Sequence, residues 1–240
     1  MKFMAMHKHD PNTEAGKLPP PELIQKMGAL VGGMAQSGRL LDGEGLGASK
    51  TRSRLTLKNG QVSVAHGPYA ATTHELPASF AKIKASSRDE AIALATTVAR
   101  AIGGDLEFEV GKINEPWDIG IGEQPAGAPE RYLLIQKATE ATEAGRPANL
   151  EQATKEIKAK GALLGTVTLA PSSKAKRLTW RAGKHTIVDG PFTETKELVG
   201  GYAILDLASM DECVAFCHQY ADILLSAADA LEIDIRPLHV

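Results

Sequence analysis

With only two cysteines among 240 residues, the chain has neither a disulfide framework nor a cysteine-rich metal site to hold it together. Cys213 and Cys217 lie four apart on an expected helix, share one face, and read as core. Excess charge is lacking as well. The 27 basic and 29 acidic residues leave a formal net charge of −2, which gives no electrostatic basis for sequence-independent nucleic-acid binding. No apolar run approaches the length that crosses a bilayer, so no membrane partner is expected. At the start, Lys2-Phe3-Met4-Ala5-Met6 meets His7-Lys8-His9-Asp10 too early to form the apolar stretch of a secretory signal, and the expected location is cytoplasmic. A phosphate-cradling loop is also missing: Gly43-Glu44-Gly45-Leu46-Gly47 follows an expected strand but opens no helix. Neither a cofactor nor a metal is expected.

What the chain does have is a repeat. Residues Gly38 to Tyr69 align without gaps with Gly161 to Phe192, at an offset of 161 − 38 = 123, and 11 of the 32 pairs are identical. After a one-residue slip the offset is 122, which pairs Phe80 with Tyr202 and Asp89-Glu90 with Asp211-Glu212. Two long copies mean two tandem units rather than a solenoid. The expected division is a first domain at 1–113, a linker at 114–130 rich in proline and glycine, and a second domain at 131–240. Each unit has a length that can bury its own core.

Within each copy the order of elements repeats. Met1 to His7 reads as a strand, Glu22 to Ser37 as a helix closed by Gly38, and Arg39 to Gly47 as a strand with a loosened end. A hairpin around Asn59-Gly60 follows, then a strand from Ser79 to Lys84, a helix opened by the capping box Ser87-Arg88-Asp89-Glu90, and the alternating strand Leu106 to Val110. The second copy restarts at Arg131 with a strand, has a helix from Asn149 to Lys160, and uses Ser209-Met210-Asp211-Glu212 as its second box. This βαβ, hairpin, βαβ order is that of a ferredoxin-like unit, with both helices on one face of an antiparallel sheet. The bare face of each sheet needs a cover, and the other copy is the obvious one.

The run Asp189-Gly190-Pro191-Phe192, Thr195-Lys196-Glu197, Gly200-Gly201-Tyr202, with Gly43-Glu44-Gly45-Leu46 in the first copy, resembles the DGPF-domain branch of the YCII-related family. The resemblance implies a dimeric α+β barrel in which two ferredoxin-like sheets face each other. Here one chain supplies both, as a monomeric pseudo-dimer or a weak homodimer. It further implies a small molecule in a barrel pocket, with cofactor-independent isomerase or lyase chemistry as one possibility, and a His and Asp pair as the suggested active site. A different implication is a non-catalytic interaction or regulatory module, for example accessory to an extracytoplasmic-function sigma factor. The copies diverge inside the motif: Asp189 has His66 as its counterpart, and Gly200-Gly201 has Ala78-Ser79.

The expected pocket residues are therefore Asp189 as base and His66 as proton shuttle, each for its own half, with Glu44, His74, Glu194, Lys196 and Tyr202 as substrate-binding groups. A plainer reading competes with each. Asp189 and His66 can cap their turns, Glu194 and Lys196 can form an exposed pair, and Glu44 can sit on a loop. His7 and His9 share one side of the first strand and read as edge or cavity histidines titrating near neutrality. Ser172-Ser173-Lys174 reads as a solvated turn.

Overall fold

A computed structural model describes residues 1–69, 76–146, 149–192 and 198–239. In chain order the first half contains β1 (Lys2–Lys8), a single turn α1 (Pro11–Glu14), α2 (Pro21–Gln36), β2 (Leu40–Gly45), β3 (Ser53–Lys58), β4 (Gln61–His66), β5 (Pro77–Ala85), α3 (Arg88–Ile102) and β6 (Leu106–Lys112). The second half contains, in a similar order, β7 (Glu130–Lys137), α4 (Glu140–Glu143), α5 (Leu150–Ala153) with α6 (Lys155–Ala159), β8 (Leu163–Thr168), β9 (Lys176–Arg181), β10 (Lys184–Asp189), β11 (Val199–Asp206), α7 (Met210–Leu224) and β12 (Ala230–Pro237). The expected helix from Asn149 to Lys160 is thus broken at Thr154, whose hydroxyl donates back to the Leu150 carbonyl at 2.8 Å. The single-turn helices have no periodic signal in the sequence; α1 is capped by Asp10, whose carboxylate accepts from the amides of Asn12 and Thr13.

The fold is mixed α+β with two six-stranded antiparallel sheets, ordered β10-β9-β12-β1-β11-β2 and β4-β3-β6-β7-β5-β8. Neither sheet coincides with one repeat. The first takes β1 and β2 from the first half and four strands from the second; the other takes β7 and β8 from the second half and four from the first. Strand β1 therefore lies in the interior of a sheet, between β11 and β12, rather than at an edge.

Alternation along the central strands explains the layers. In β1, Phe3 and Ala5 pack with Phe216, Cys213 and Cys217 of α7, whereas Met4 and Met6 face the other sheet and meet Phe80, Leu133 and Ile135. In β7, Tyr132 and Leu134 face α3 while Leu133 and Ile135 face inward. A strand buried on both sides reads as a nearly continuous apolar run, as Lys2–Lys8 does. The space between the sheets is a third core of side chains. Isolated bridges stitch the sheets at two places, Leu46 to Ile113 and Leu169 to Leu238.

The capping boxes hold with one adjustment. Ser87 and Ser209 accept from the amides of Glu90 and Glu212, both at 3.2 Å, but the returning carboxylates reach the amides of Ser86 and Ala208, one residue earlier. Cys213 and Cys217 are buried and free. Among the described residues, no helix is long and apolar enough to cross a membrane.

Candidate functional site

The Gly-Pro motif forms the same clasp twice. A Cβ on Gly67 would lie 1.8 Å from the Ser49 carbonyl oxygen, and one on Gly190 would lie 1.8 Å from that of Ser172. Glycine is required here for close approach between two backbones, not for a left-handed φ. The following aromatics cover arginines: the Arg54 guanidinium sits 4.5 Å from the Tyr69 ring centre and that of Arg177 sits 4.3 Å from Phe192. Beneath each clasp a carboxylate fixes the serine. Glu14 accepts from the Ser49 amide at 3.0 Å and Glu143 from that of Ser172 at 2.9 Å. Ser172 is fully buried, which overturns its reading as a solvated turn.

Asp189 and His66 end the outermost strands of different sheets. Asp189 is 77% exposed and pairs with Lys176 at 2.6 Å; His66 is exposed, with its Nδ1 3.0 Å from the Ser53 hydroxyl. His74, Glu194 and Lys196 lie outside the described residues. Glu44 and Tyr202 do come together, opposite each other on β2 and β11. Tyr202 donates to Asp42 at 2.9 Å, Lys82 bridges Asp42 and Glu44 at 2.7 and 3.1 Å, and Arg131 joins Glu44 to Glu115. Burial, then Asp42, push the Tyr202 phenol well above its ordinary value, so it stays a donor. Glu44 is thus held in an ion-pair network linking the two sheets, and not on a loop.

Buried charge concentrates around two carboxylates that occupy equivalent places. Glu109 on β6 faces Arg52 at 2.5 Å and Lys137 at 3.5 Å; Asp234 on β12 faces Lys8 at 2.9 Å and Arg177 at 2.6 Å. Burial pushes the Glu109 carboxyl up, but Lys137 and Arg52 outweigh it and hold it at about 2.

Each half also buries one guanidinium, supplied from different positions. Arg52 donates to the carbonyls of Gly47 (2.7 Å) and Val199 (2.9 Å); Arg236 donates to those of Ala170 (2.9 Å) and Pro77 (3.1 Å). Those acceptors are repeat equivalents, at offsets 170 − 47 = 123 and 199 − 77 = 122. The arginines are not. Arg52 corresponds to Ala175, and Arg236 to Gly111, as the matched registers Ser53 with Val110 and Lys176 with Ile235 require. Each guanidinium staples one sheet to the other.

Among the described residues, the Arg52 end alone carries buried imidazoles. His9 Nε2 contacts the Arg52 guanidinium, and His7 Nδ1 is 2.9 Å from the Tyr220 hydroxyl. Gly200 and Gly201 make room for His7, since a Cβ on Gly201 would be 2.5 Å from its Cε1. In the other half the same places hold Gln136, bonded to Ser79 at 2.7 Å, and Ala138. Desolvation lowers His7 to about 4, helped by His9; desolvation and then Arg52 lower His9 to about 4. Neither is the near-neutral edge histidine the sequence suggests, because β1 is interior and a permanent cation stands beside His9.

Two neighbours of His9 Nε2 pull its tautomer in opposite directions. The Gly47 carbonyl, 3.2 Å away, favours a proton on Nε2, whereas the Arg52 guanidinium has donors only and, as the charged and stronger partner, favours an accepting Nε2 with the proton on Nδ1. His9 Nδ1 is buried and has no hydrogen-bond partner among the described residues. Sequence reasoning does not find Arg52 or Glu109, which become neighbours only through pairing of β3 with β6. The legible signal is the joint change between copies: two histidines with Gly-Gly in one, Gln and Ala with Ala-Ser in the other.

Among the described residues the enclosed space beneath His7 is small, a cavity of about 10 Å³ lined by Tyr202, Phe216, Cys217 and Tyr220, enough for about one water. An open groove of about 450 Å³, lined by Lys84, Glu90, Pro129 and Lys160, touches none of the expected site residues.

The comparisons agree with the motif. A stretch of 76 residues, 31% of this chain, is 37% identical to an uncharacterized protein of Rhizobium meliloti (strain 1021), and the match spans 59% of that relative's length. No solved structure matches. Residues 131–226, from β7 through the end of α7, match the YCII-related domain.

Proposed function

We propose that the chain binds a small molecule with a carbonyl or carboxylate oxygen at the His9 end of β1, where the neutral imidazole donates from Nδ1. The observation that carries this reading is the contrast between the halves. The second half builds the same guanidinium staple with Ala138 and Gln136 in place of the imidazoles, so the fold does not require them. A neutral imidazole donor can polarise a carbonyl oxygen without releasing its proton, which suits cofactor-independent isomerase or lyase chemistry. This reading moves that chemistry from Asp189 and His66, which are exposed on separate sheets, to His9.

For the architecture we infer an intramolecular pseudo-dimer of two ferredoxin-like units forming an α+β barrel. The orders β12-β1-β11-β2 and β6-β7-β5-β8 support it, each being the fourth, first, third and second strand of a βαββαβ unit. In this scheme the repeats 1–113 and 131–240 exchange their leading βαβ segments across the linker 114–130, and one chain completes the barrel.

The test is a thermal-shift screen of small keto acids, carboxylic acids and amides on wild type and on His9→Ala, the residue the second half uses. A compound that raises the melting temperature of wild type alone is the expected result. Imidazole ¹⁵N spectra provide a check independent of any ligand: a proton on Nε2 of His9 would overturn the assignment.

A further inference from the structure

Strand β10 ends one sheet, and all six of its residues are exposed. It joins β9 through Ala182 and Gly183, with φ of 51° and 73°, a two-residue turn that makes Arg181 and Lys184 a hydrogen-bonded pair. Alternation then points the backbone groups of Lys184, Thr186 and Val188 at β9. Gly190 continues that phase, its amide donating to the Ala175 carbonyl at 3.0 Å. The backbone groups of His185, Ile187 and Asp189 face outward, and their side chains share one face.

These three residues are self-complementary. In an antiparallel pairing of two such edges, outward-facing residues must oppose outward-facing residues. A register centred on Ile187 sets Ile187 against its own copy and His185 against Asp189 of the other chain, twice. Ile187 is 43% exposed and Val188 54%. Asp189 engages Lys176 through Oδ1, which leaves Oδ2 to accept from an incoming imidazole. We propose that β10 is a docking edge for a second copy of this chain, adding strand to strand about a two-fold axis through Ile187, with His185 donating to Asp189 across it.

The equivalent edge of the other sheet lacks this complementarity. Strand β4 turns at Asn59-Gly60 in the same way, and its outward residues are Val62, Val64 and His66. Centring on Val64 sets a valine against a histidine, with no carboxylate to receive it. The motif aspartate, whose ion-pair partner among the described residues is the part-exposed Lys176, is what distinguishes the two edges.

Light scattering of the full chain over a concentration series tests the proposal. Wild type is expected to pass from monomer to dimer. Ile187→Lys sets like charges on the axis and is expected to weaken association at least tenfold without changing the circular dichroism spectrum. His185→Glu opposes Asp189 with a like charge and is expected to do the same, while the double variant His185→Glu/Asp189→Lys restores an opposite pair and with it the dimer. A monomer at every concentration, a dimer indifferent to Ile187→Lys, or a double variant no better than His185→Glu would each overturn it. Loss of association in Val64→Lys alone would move the interface to β4, and so would also overturn it.

Discussion

The Arg52 end and the Arg236 end of the molecule solve one packing problem from two sequence positions. Both place a buried guanidinium on equivalent carbonyls, yet one draws it from the residue before β3 and the other from β12. Where Arg52 stands, the facing position is Gly111, on which an added Cβ would lie 3.7 Å from the arginine side chain; where Arg236 stands, the position matching Arg52 is Ala175. The difference teaches that the guanidinium is demanded by the space and its carbonyls, whereas the imidazoles that stand, among the described residues, beside one of them are not.

The largest expected effect follows from that exchange. Arg52→Ala takes from Glu109 the nearer of its two cations and from two carbonyls their guanidinium donor, and is expected to cost about 3 kcal/mol in urea unfolding. Adding Gly111→Arg rebuilds the arrangement of the other half and is expected to recover most of the loss. No recovery would break the equivalence of the two ends.

Next come the clasps. Gly67→Ala and Gly190→Ala each force a Cβ into a serine carbonyl, at an expected cost of about 2–3 kcal/mol, similar in the two halves. Unequal costs would show that the clasps differ in rigidity.

A smaller effect tests the histidine side directly. Gly201→Ser installs the Ser79 equivalent against His7 and is expected to cost about 1–2 kcal/mol. In a His7→Gln background the same change recreates the Gln136–Ser79 pair, and a double-mutant cycle is expected to show favourable coupling of about 1 kcal/mol.

The mildest prediction concerns pH. His7 and His9 have folded values near 4, below the ordinary 6.5, so the unfolded chain binds more protons between those limits. Stability is therefore full above about pH 6.5 and falls as pH drops toward 4, with an uptake on the order of two protons on unfolding. Glu109, held at about 2, contributes stability present above its ordinary 4.5 and lost as pH falls through 2. The variant His7→Gln/His9→Ala is expected to flatten the upper window and leave the lower one. An unchanged upper window would remove the imidazoles from the account.

Much of the candidate site was hidden for a physical reason. The Gly-Pro motif was legible as two equivalent turns, because proline and glycine act through local backbone geometry. The capping boxes were legible for the same reason. Asp189 and His66 attract notice as polar residues within that motif, but edge strands leave them in solvent. His9, Arg52 and Glu109 sit on three separated segments, and nothing in local spacing announces that they meet.

The sequence by itself determined the similarity of its two halves, the order of the strands and longer helices in each half and the residues that alternate toward a core, since each of these depends on patterns read along the chain. The tertiary structure decided which β1 or β7 joins which sheet. Strand pairing is set by where an apolar face finds its complement, and with two similar copies in one chain the pattern in each copy fits either sheet. Only the assembled sheets put β1 between β11 and β12, and with that exchange His7 meets Gly201 and His9 meets Arg52.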